Sequence, residues 1–172
     1  GNPFPKATWG ISNTFRWKGF DLYFLIQGVS GLDVFNGDGY YTESKKFNRN
    51  YVKDRWISAE YPGDGRTPTV GSAGISWEFT DYMIEDGSFV ALRDVVLGYT
   101  FDKKKLKKAG LNSLRLYASG QNLLYFWGKS YRGINPEARV TTGSYSSPLV
   151  NGYQRGGFPI QSTVNIGFEL NF

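Results

Sequence analysis

Six carboxylates fall in what reads as a long connection: Asp38, Asp54, Asp64, Asp81, Glu85 and Asp86. Paired acids are what glycoside hydrolysis needs, one as general acid and one as base or nucleophile. Nothing in their spacing brings two of them together. The chain also has no His and no Cys, which removes the commonest general base, the usual activator of a nucleophile and all thiolate chemistry. Solvated loop acids, or acids that hydrogen-bond to neighbouring loops, explain them better, so no catalytic residue and no enzyme is expected. The runs Asn36-Gly37-Asp38-Gly39 and Gly63-Asp64-Gly65 look like pieces of calcium loops. They lack the alternating oxygen ligands and terminal Glu of an EF-hand. Turn chemistry accounts for both, and neither a metal nor a cofactor is expected.

Aromatic side chains offer a different kind of chemistry. They make up 17% of the chain, as 13 Phe, 12 Tyr and 5 Trp, beside 22 Gly, while mean hydropathy is negative at -0.40. Tyr40, Tyr41, Trp56, Tyr61, Trp77, Trp127 and Tyr131 lie in what read as long connections. Flat rings there stack on sugars or peptide side chains, or pack loops together; with Arg132 they are the candidate contacts for a substrate or partner. The net charge of +5 owes much to one run, Lys103, Lys104, Lys105, Lys107 and Lys108. It reads as a solvated segment, so no nucleic-acid partner is expected.

These residues must be positioned by β-structure. Aromatic and glycine-rich composition with a polar average suits sheets that have one apolar and one polar face. No apolar run approaches the roughly 20 residues of a membrane helix. The chain is therefore soluble or crosses a membrane as strands. Alternation of period two marks five strands. In Ala7 to Trp17, Trp9, Ile11, Phe15 and Trp17 share a face, interrupted by Asn13; in Phe20 to Gln27, Leu22, Phe24 and Ile26 continue the face of Phe20. The two-residue break at Lys18 and Gly19 makes a tight hairpin. Phe89 to Phe101 alternates through Val95, Leu97, Tyr99 and Phe101, but Leu92 and Arg93 break its start. Ser113 to Tyr125 alternates through Leu114, Leu116 and Ala118. The last strand, Ile160 to Phe172, is the most regular: six of seven even positions are apolar, including Val164, Ile166, Phe168 and Leu170, and none of the six odd ones.

Strand length separates membrane from soluble sheets. Trp9 and Trp17 are eight residues apart, about 26 Å at roughly 3.3 Å per residue. Tilted by about 40°, that spans about 20 Å, close to the roughly 25 Å apolar band of a transmembrane barrel. Connections alternate between short (Lys18 to Gly19, Asp102 to Asn112) and long (Gly28 to Ser88, Phe126 to Gly156), as barrel turns and outer loops do. The first long loop is expected to hold a helix over Tyr41 to Trp56 and an irregular stretch over Tyr61 to Gly74. With the C-terminus periplasmic, both long loops fall outside. Five strands do not close a barrel of the usual minimum of about eight. The residues from Gly1 onward do not read as a signal segment. The chain is therefore expected to be a piece of a larger barrel, with a break in an outer loop before residue 1.

Several stretches resemble the C-terminal part of the SusC/RagA family of TonB-dependent outer-membrane transporters of Bacteroidetes. They are Gly1-Asn2-Pro3, Pro5-Lys6, Trp9-Gly10, Asn13-Thr14-Phe15, Phe20-Asp21-Leu22, Gln27-Gly28, Asp54-Arg55-Trp56 and Glu85-Asp86-Gly87-Ser88-Phe89. Leu97-Gly98-Tyr99-Thr100, Ser119-Gly120-Gln121-Asn122-Leu123, Asn135-Pro136-Glu137 and Gly156-Gly157-Phe158-Pro159 continue the series in order. The resemblance implies an all-β fold in which residues 1–172 supply the last five strands of a barrel whose plug and earlier strands lie elsewhere; the family's barrel has about 22 strands, within the range known for such barrels. It implies a SusD-like surface lipoprotein that closes over the barrel as a lid, the TonB complex acting through the plug, lipid and lipopolysaccharide around the wall, and a glycan or peptide as cargo. The terminal Phe172 then matches the signal read by barrel-assembly machinery. A soluble β-sheet module that binds carbohydrate through loop aromatics is the alternative.

Overall fold

The computed structural model describes residues 1–37, 55–65, 69, 80–107, 110–138, 152–154 and 157–172. In chain order the elements are β1 (Ala7–Trp17), β2 (Phe20–Ser30), β3 (Asp33–Asn36), a 3-10 turn over Asp81–Met83, β4 (Ile84–Asp86), β5 (Phe89–Thr100), a single helical turn α1 (Lys103–Leu106), β6 (Ser113–Trp127), β7 (Tyr153–Gln154) and β8 (Thr163–Asn171). They form two compact units. One holds β1, β2, β5, α1, β6 and β8; the other holds Gly1–Lys6, Gly31–Ser88 and Gly128–Pro159.

The first of these units is a five-stranded sheet in the order β1-β2-β5-β6-β8, antiparallel throughout. The expected hairpin is present, with Trp17 opposite Phe20 and positive φ at both Lys18 (47°) and Gly19 (90°). That turn matches the twist of the flanking strands. Gly19 is needed there for space as well, since a Cβ would lie 2.7 Å from the Thr100 carbonyl oxygen.

The break at Leu92 and Arg93 has a structural cause. Pairing shifts between Leu25 and Ile26 on the β2 side and between Leu92 and Asp94 on the β6 side, leaving Arg93 outside both ladders as a bulge. One extra residue changes the parity of β5. Val90 and Leu92 thereby rejoin the face that holds Val95, Leu97 and Tyr99. On β6 the same irregularity holds Asn122 at φ 52°.

The second unit, with its three-stranded sheet, is not legible as strands in the sequence. What reads as two uninterrupted long connections contains β3, β4 and β7, with β3 in the centre, antiparallel to β4 and parallel to β7. The helix expected over Tyr41 to Trp56 lies outside the described residues except at its end, where Arg55 and Trp56 are not helical. Residues 61–65 of the expected irregular stretch have no regular element. Met83, Val34, Asn36, Glu85, Gln154 and Tyr131 are the buried centre of this unit.

That centre is half polar, and its polar groups are bonded to one another. The Glu85 carboxylate accepts from the Arg132 backbone N–H and Nε, both at 2.7 Å, and from Asn36 Nδ2 at 3.0 Å. Arg132 also donates to the Tyr82 carbonyl at 2.6 Å, with its guanidinium 4.3 Å from the Tyr82 ring. The Tyr131 hydroxyl donates to Gln154 Oε1 at 2.7 Å, and Gln154 Nε2 donates to the Pro136 carbonyl at 2.9 Å. Both long connections are thus tied to β3 and to each other. Because removing one partner of a buried ion pair strands the other, Glu85→Ala should destabilise this unit by about 3 kcal/mol. Hydrogen exchange should accelerate at Val34 to Asn36 and at Tyr153 and Gln154 while protection in β8 stays unchanged; unaltered exchange in β3 would contradict the role given to Glu85.

Candidate functional site

In an antiparallel pair, residues directly opposite each other share a face. The registers therefore place Trp9, Ile11, Phe15 and Trp17 of β1 with Phe20, Leu22, Phe24 and Ile26 of β2. The same face continues through Val90, Leu92, Val95, Leu97 and Tyr99 of β5. It then takes in Leu116, Ala118, Leu124 and Phe126 of β6 and Val164, Ile166, Phe168 and Leu170 of β8. This face is open: Ile166 is 86% exposed, Val164 68%, Trp17 67% and Phe168 66%. At its loop end the Trp9 indole lies over Gly28, where a Cβ would come within 2.1 Å of the ring.

The opposite face is polar and has two clusters. Near the Lys18-Gly19 turn, Arg115 of β6 reaches over β5 to Asp21 of β2, with Nη2 to Oδ2 at 2.6 Å and Nε to Oδ1 at 3.1 Å, and donates from Nη1 to Glu169 of β8 at 3.0 Å. Gly98 makes this reach possible. A Cβ there would lie 2.5 Å from Asp21 Oδ1 and 2.7 Å from Arg115 Nε. Gly167 does the same for the Tyr117 ring, 2.5 Å from its would-be Cβ. These glycines read from sequence only as polar-face residues; their use is to let long side chains lie across the sheet.

Toward the loop end, the bulged Arg93 donates from Nε to Gln27 Oε1 at 2.7 Å, from Nη1 to Asn122 Oδ1 at 3.3 Å, and to the Tyr125 hydroxyl. Its guanidinium lies 5.4 Å from the Tyr125 ring and 5.8 Å from that of Phe89. Bulges re-aim side chains in this way, and the resulting cluster joins four residue types that period-two reasoning assigns to no common site.

The candidate contact residues divide. Trp56 and Tyr61 are exposed, at 45% and 71%, on a small tip closed by Ile57 N–H to the Tyr61 carbonyl at 3.0 Å and Tyr61 N–H to the Ser58 carbonyl at 3.1 Å. On that tip the Ser58 hydroxyl donates to Glu60 at 2.8 Å and, with Glu60's own backbone N–H, holds its carboxyl below the usual range. Trp127 belongs to no loop: it ends β6 opposite Phe89, on the polar face beside Tyr125. Tyr131 is only 5% exposed, so its ring packs the unit that holds β3 and does not present a contact surface. Arg132 is likewise committed to Glu85 and Tyr82. Tyr40, Tyr41 and Trp77 lie outside the described residues. Of the acids, Glu85 is buried with Arg132 and Asp86 accepts from the Ser88 N–H at 2.9 Å, while Asp38 and Asp54 are outside the described residues.

No protein-family model matches the chain. Among curated proteins it is 32% identical over its whole length to TonB-dependent receptor P3 of Formosa agariphila, spanning 17% of that protein. It is 25% identical over 95% of its length to TonB-dependent receptor SusC of Bacteroides thetaiotaomicron, spanning 15% of it. Among solved structures, the RagAB peptide importer in its open-open state shares the fold, with a TM-score of 0.73 at 22% identity over 98% of this chain and 17% of that one. With the open apolar face of its five-stranded sheet, and aligned over its whole length with TonB-dependent receptor P3, the chain belongs to the SusC/RagA family of TonB-dependent receptors as a stretch of their β-barrel.

Proposed function

We propose that the chain forms part of the wall of an outer-membrane importer, with the apolar face of its larger sheet against lipid and the polar face toward the barrel interior. The observation that carries this reading is the continuous apolar face across five strands, exposed throughout on β1 and β8 and at Phe20, Leu97, Leu116 and Phe126 between them. Each large apolar side chain left in water forgoes about 1.5–3 kcal/mol of burial, so a soluble carbohydrate-binding module has no use for such a surface. In hydrocarbon the same face is at home, and each strand between the two edges is paired with a neighbour on both sides apart from the bulge at Arg93, as a membrane requires.

In this reading the Lys18-Gly19 turn, the α1 connection and Phe172 face the periplasm, and both long connections lie outside. Phe172 serves as the assembly signal. Trp9, Ile11, Phe15, Trp17, Leu22, Phe24, Ile26, Val164, Ile166, Phe168 and Leu170 meet lipid. The tip bearing Trp56 and Tyr61, with Tyr40, Tyr41 and Trp77, contacts cargo or a SusD-like lipoprotein that covers the mouth. Cargo is a peptide or a glycan, moved unaltered, with the drive from the TonB complex entering through parts of the receptor outside this chain. RagAB is a peptide importer, which supports a peptide among these.

The faces can be told apart in the full-length receptor. Ile166→Arg or Phe168→Arg should cost about 2–4 kcal/mol of folding stability in bilayers, while Asn165→Arg should cost far less; equal sensitivity of the two positions would remove the basis for a lipid-facing side. On the interior face, Gly98→Val should lower the unfolding midpoint by pushing Arg115 off Asp21, a loss of about 1–3 kcal/mol. The effect should shrink in an Arg115→Ala background. An undiminished effect there would mean that the glycine matters for some other reason.

A further inference from the structure

The turn end of the larger sheet combines two features with no shared structural need. The first is a cluster of rings around the hairpin: Trp17, Phe20 and Tyr99 lie in register on the apolar face, with Phe20 and Tyr99 centroids 4.6 Å apart and Phe101 edge-on to Tyr99 at 4.9 Å. The second is positive charge. Lys18 sits in the hairpin with Nζ 4.9 Å above the Trp17 ring. The two connections are adjacent, since Thr100 N–H donates to the Gly19 carbonyl at 2.8 Å, and Lys103, Lys104 and Lys107 follow immediately, all exposed.

Beyond the contact of Lys18 with Trp17, these ammonium groups have no partner among the described residues. The nearby acids are occupied: Asp21 and Glu169 with Arg115, and Asp102 in capping α1 through the Lys104 N–H at 2.9 Å. Lys103, Lys104 and Lys107 flank buried Leu106, whose carbonyl accepts from the Leu111 N–H at 3.3 Å. Rings at a membrane boundary with unpaired lysines just beyond it are complementary to a layer of phosphate headgroups.

We infer that this end of the sheet binds the headgroups of anionic glycerophospholipids through Lys18, Lys103, Lys104 and Lys107, with Trp17, Phe20, Tyr99 and Phe101 seated at the boundary of the acyl chains. The inference rests on the membrane reading above and adds the lipid class and the leaflet. It is tested with the full-length receptor in phosphatidylcholine bilayers carrying trace spin-labelled phosphatidylglycerol or spin-labelled phosphatidylcholine, which yields the relative affinity of the boundary for the two. The native receptor should prefer phosphatidylglycerol, less so at high salt. K103Q/K104Q/K107Q should weaken the preference by up to about fivefold per lysine, and the triple Arg variant should keep it. If the triple Gln variant does not fold, the three single variants supply the same comparison.

An unchanged preference in the Gln variants would overturn the inference, as would loss of the preference to inorganic phosphate at matched ionic strength, which would mark a site for the free anion. A receptor that immobilises phosphatidylcholine but shows no preference sinks this inference alone. One that immobilises no lipid at all sinks the membrane reading with it.

Discussion

In an antiparallel sheet a slip of one residue turns every side chain over. A face that stays apolar across five strands therefore ties each register to its neighbours, and the larger sheet is arranged around that requirement. Asn13 is the one polar residue on the β1 stretch of this face, and its partner Phe24 continues the face across it. Where the sequence of β5 changes parity, the backbone absorbs the difference at Arg93 and the apolar face continues unbroken.

The polar side obeys a second constraint. Long side chains that lie flat across neighbouring strands need gaps beneath them, and Gly98 and Gly167 supply these for Arg115 and Tyr117. Strands with glycine on one face and bulky apolar residues on the other have little to hold them except the ladder and a few cross-strand ties. The Asp21–Arg115–Glu169 chain connects β2, β6 and β8 across β5. It joins strands that never pair in β2 and β6, which the backbone alone does not do.

The strands were legible because their alternation runs long. β1 coincides with its expected bounds and β8 falls within them. The parity of β5 was not, since a bulge leaves only a local break in pattern, and nothing in the residues Leu92 and Arg93 says which side of the break gives way. The small sheet was missed for a related reason: β3, β4 and β7 are two to four residues long, too short for periodicity to register. Glu85 reads as a loop acid and Asn36 as a turn residue because their partners are 47 and 49 residues away, and nothing singles out Gln154, whose partner Tyr131 is 23 residues away. The same distance hid the burial of Tyr131, whose ring looked available while its hydroxyl was committed to Gln154. Phe89, Tyr125 and Trp127 were split between a strand and a loop, whereas β6 in fact carries two of them side by side.

The sidedness of the larger sheet is tested most directly by nitroxide accessibility. The chain has no Cys, so single cysteines can be placed from Thr163 to Leu170 in the full-length receptor, labelled, and reconstituted in bilayers. Collision with oxygen, which concentrates in hydrocarbon, should peak at Val164, Ile166, Phe168 and Leu170. Collision with a water-soluble nickel chelate should peak at Asn165, Gly167 and Glu169, out of phase by one residue. Chelate accessibility at the even positions equal to that at the odd ones would contradict a sheet that faces lipid on one side only.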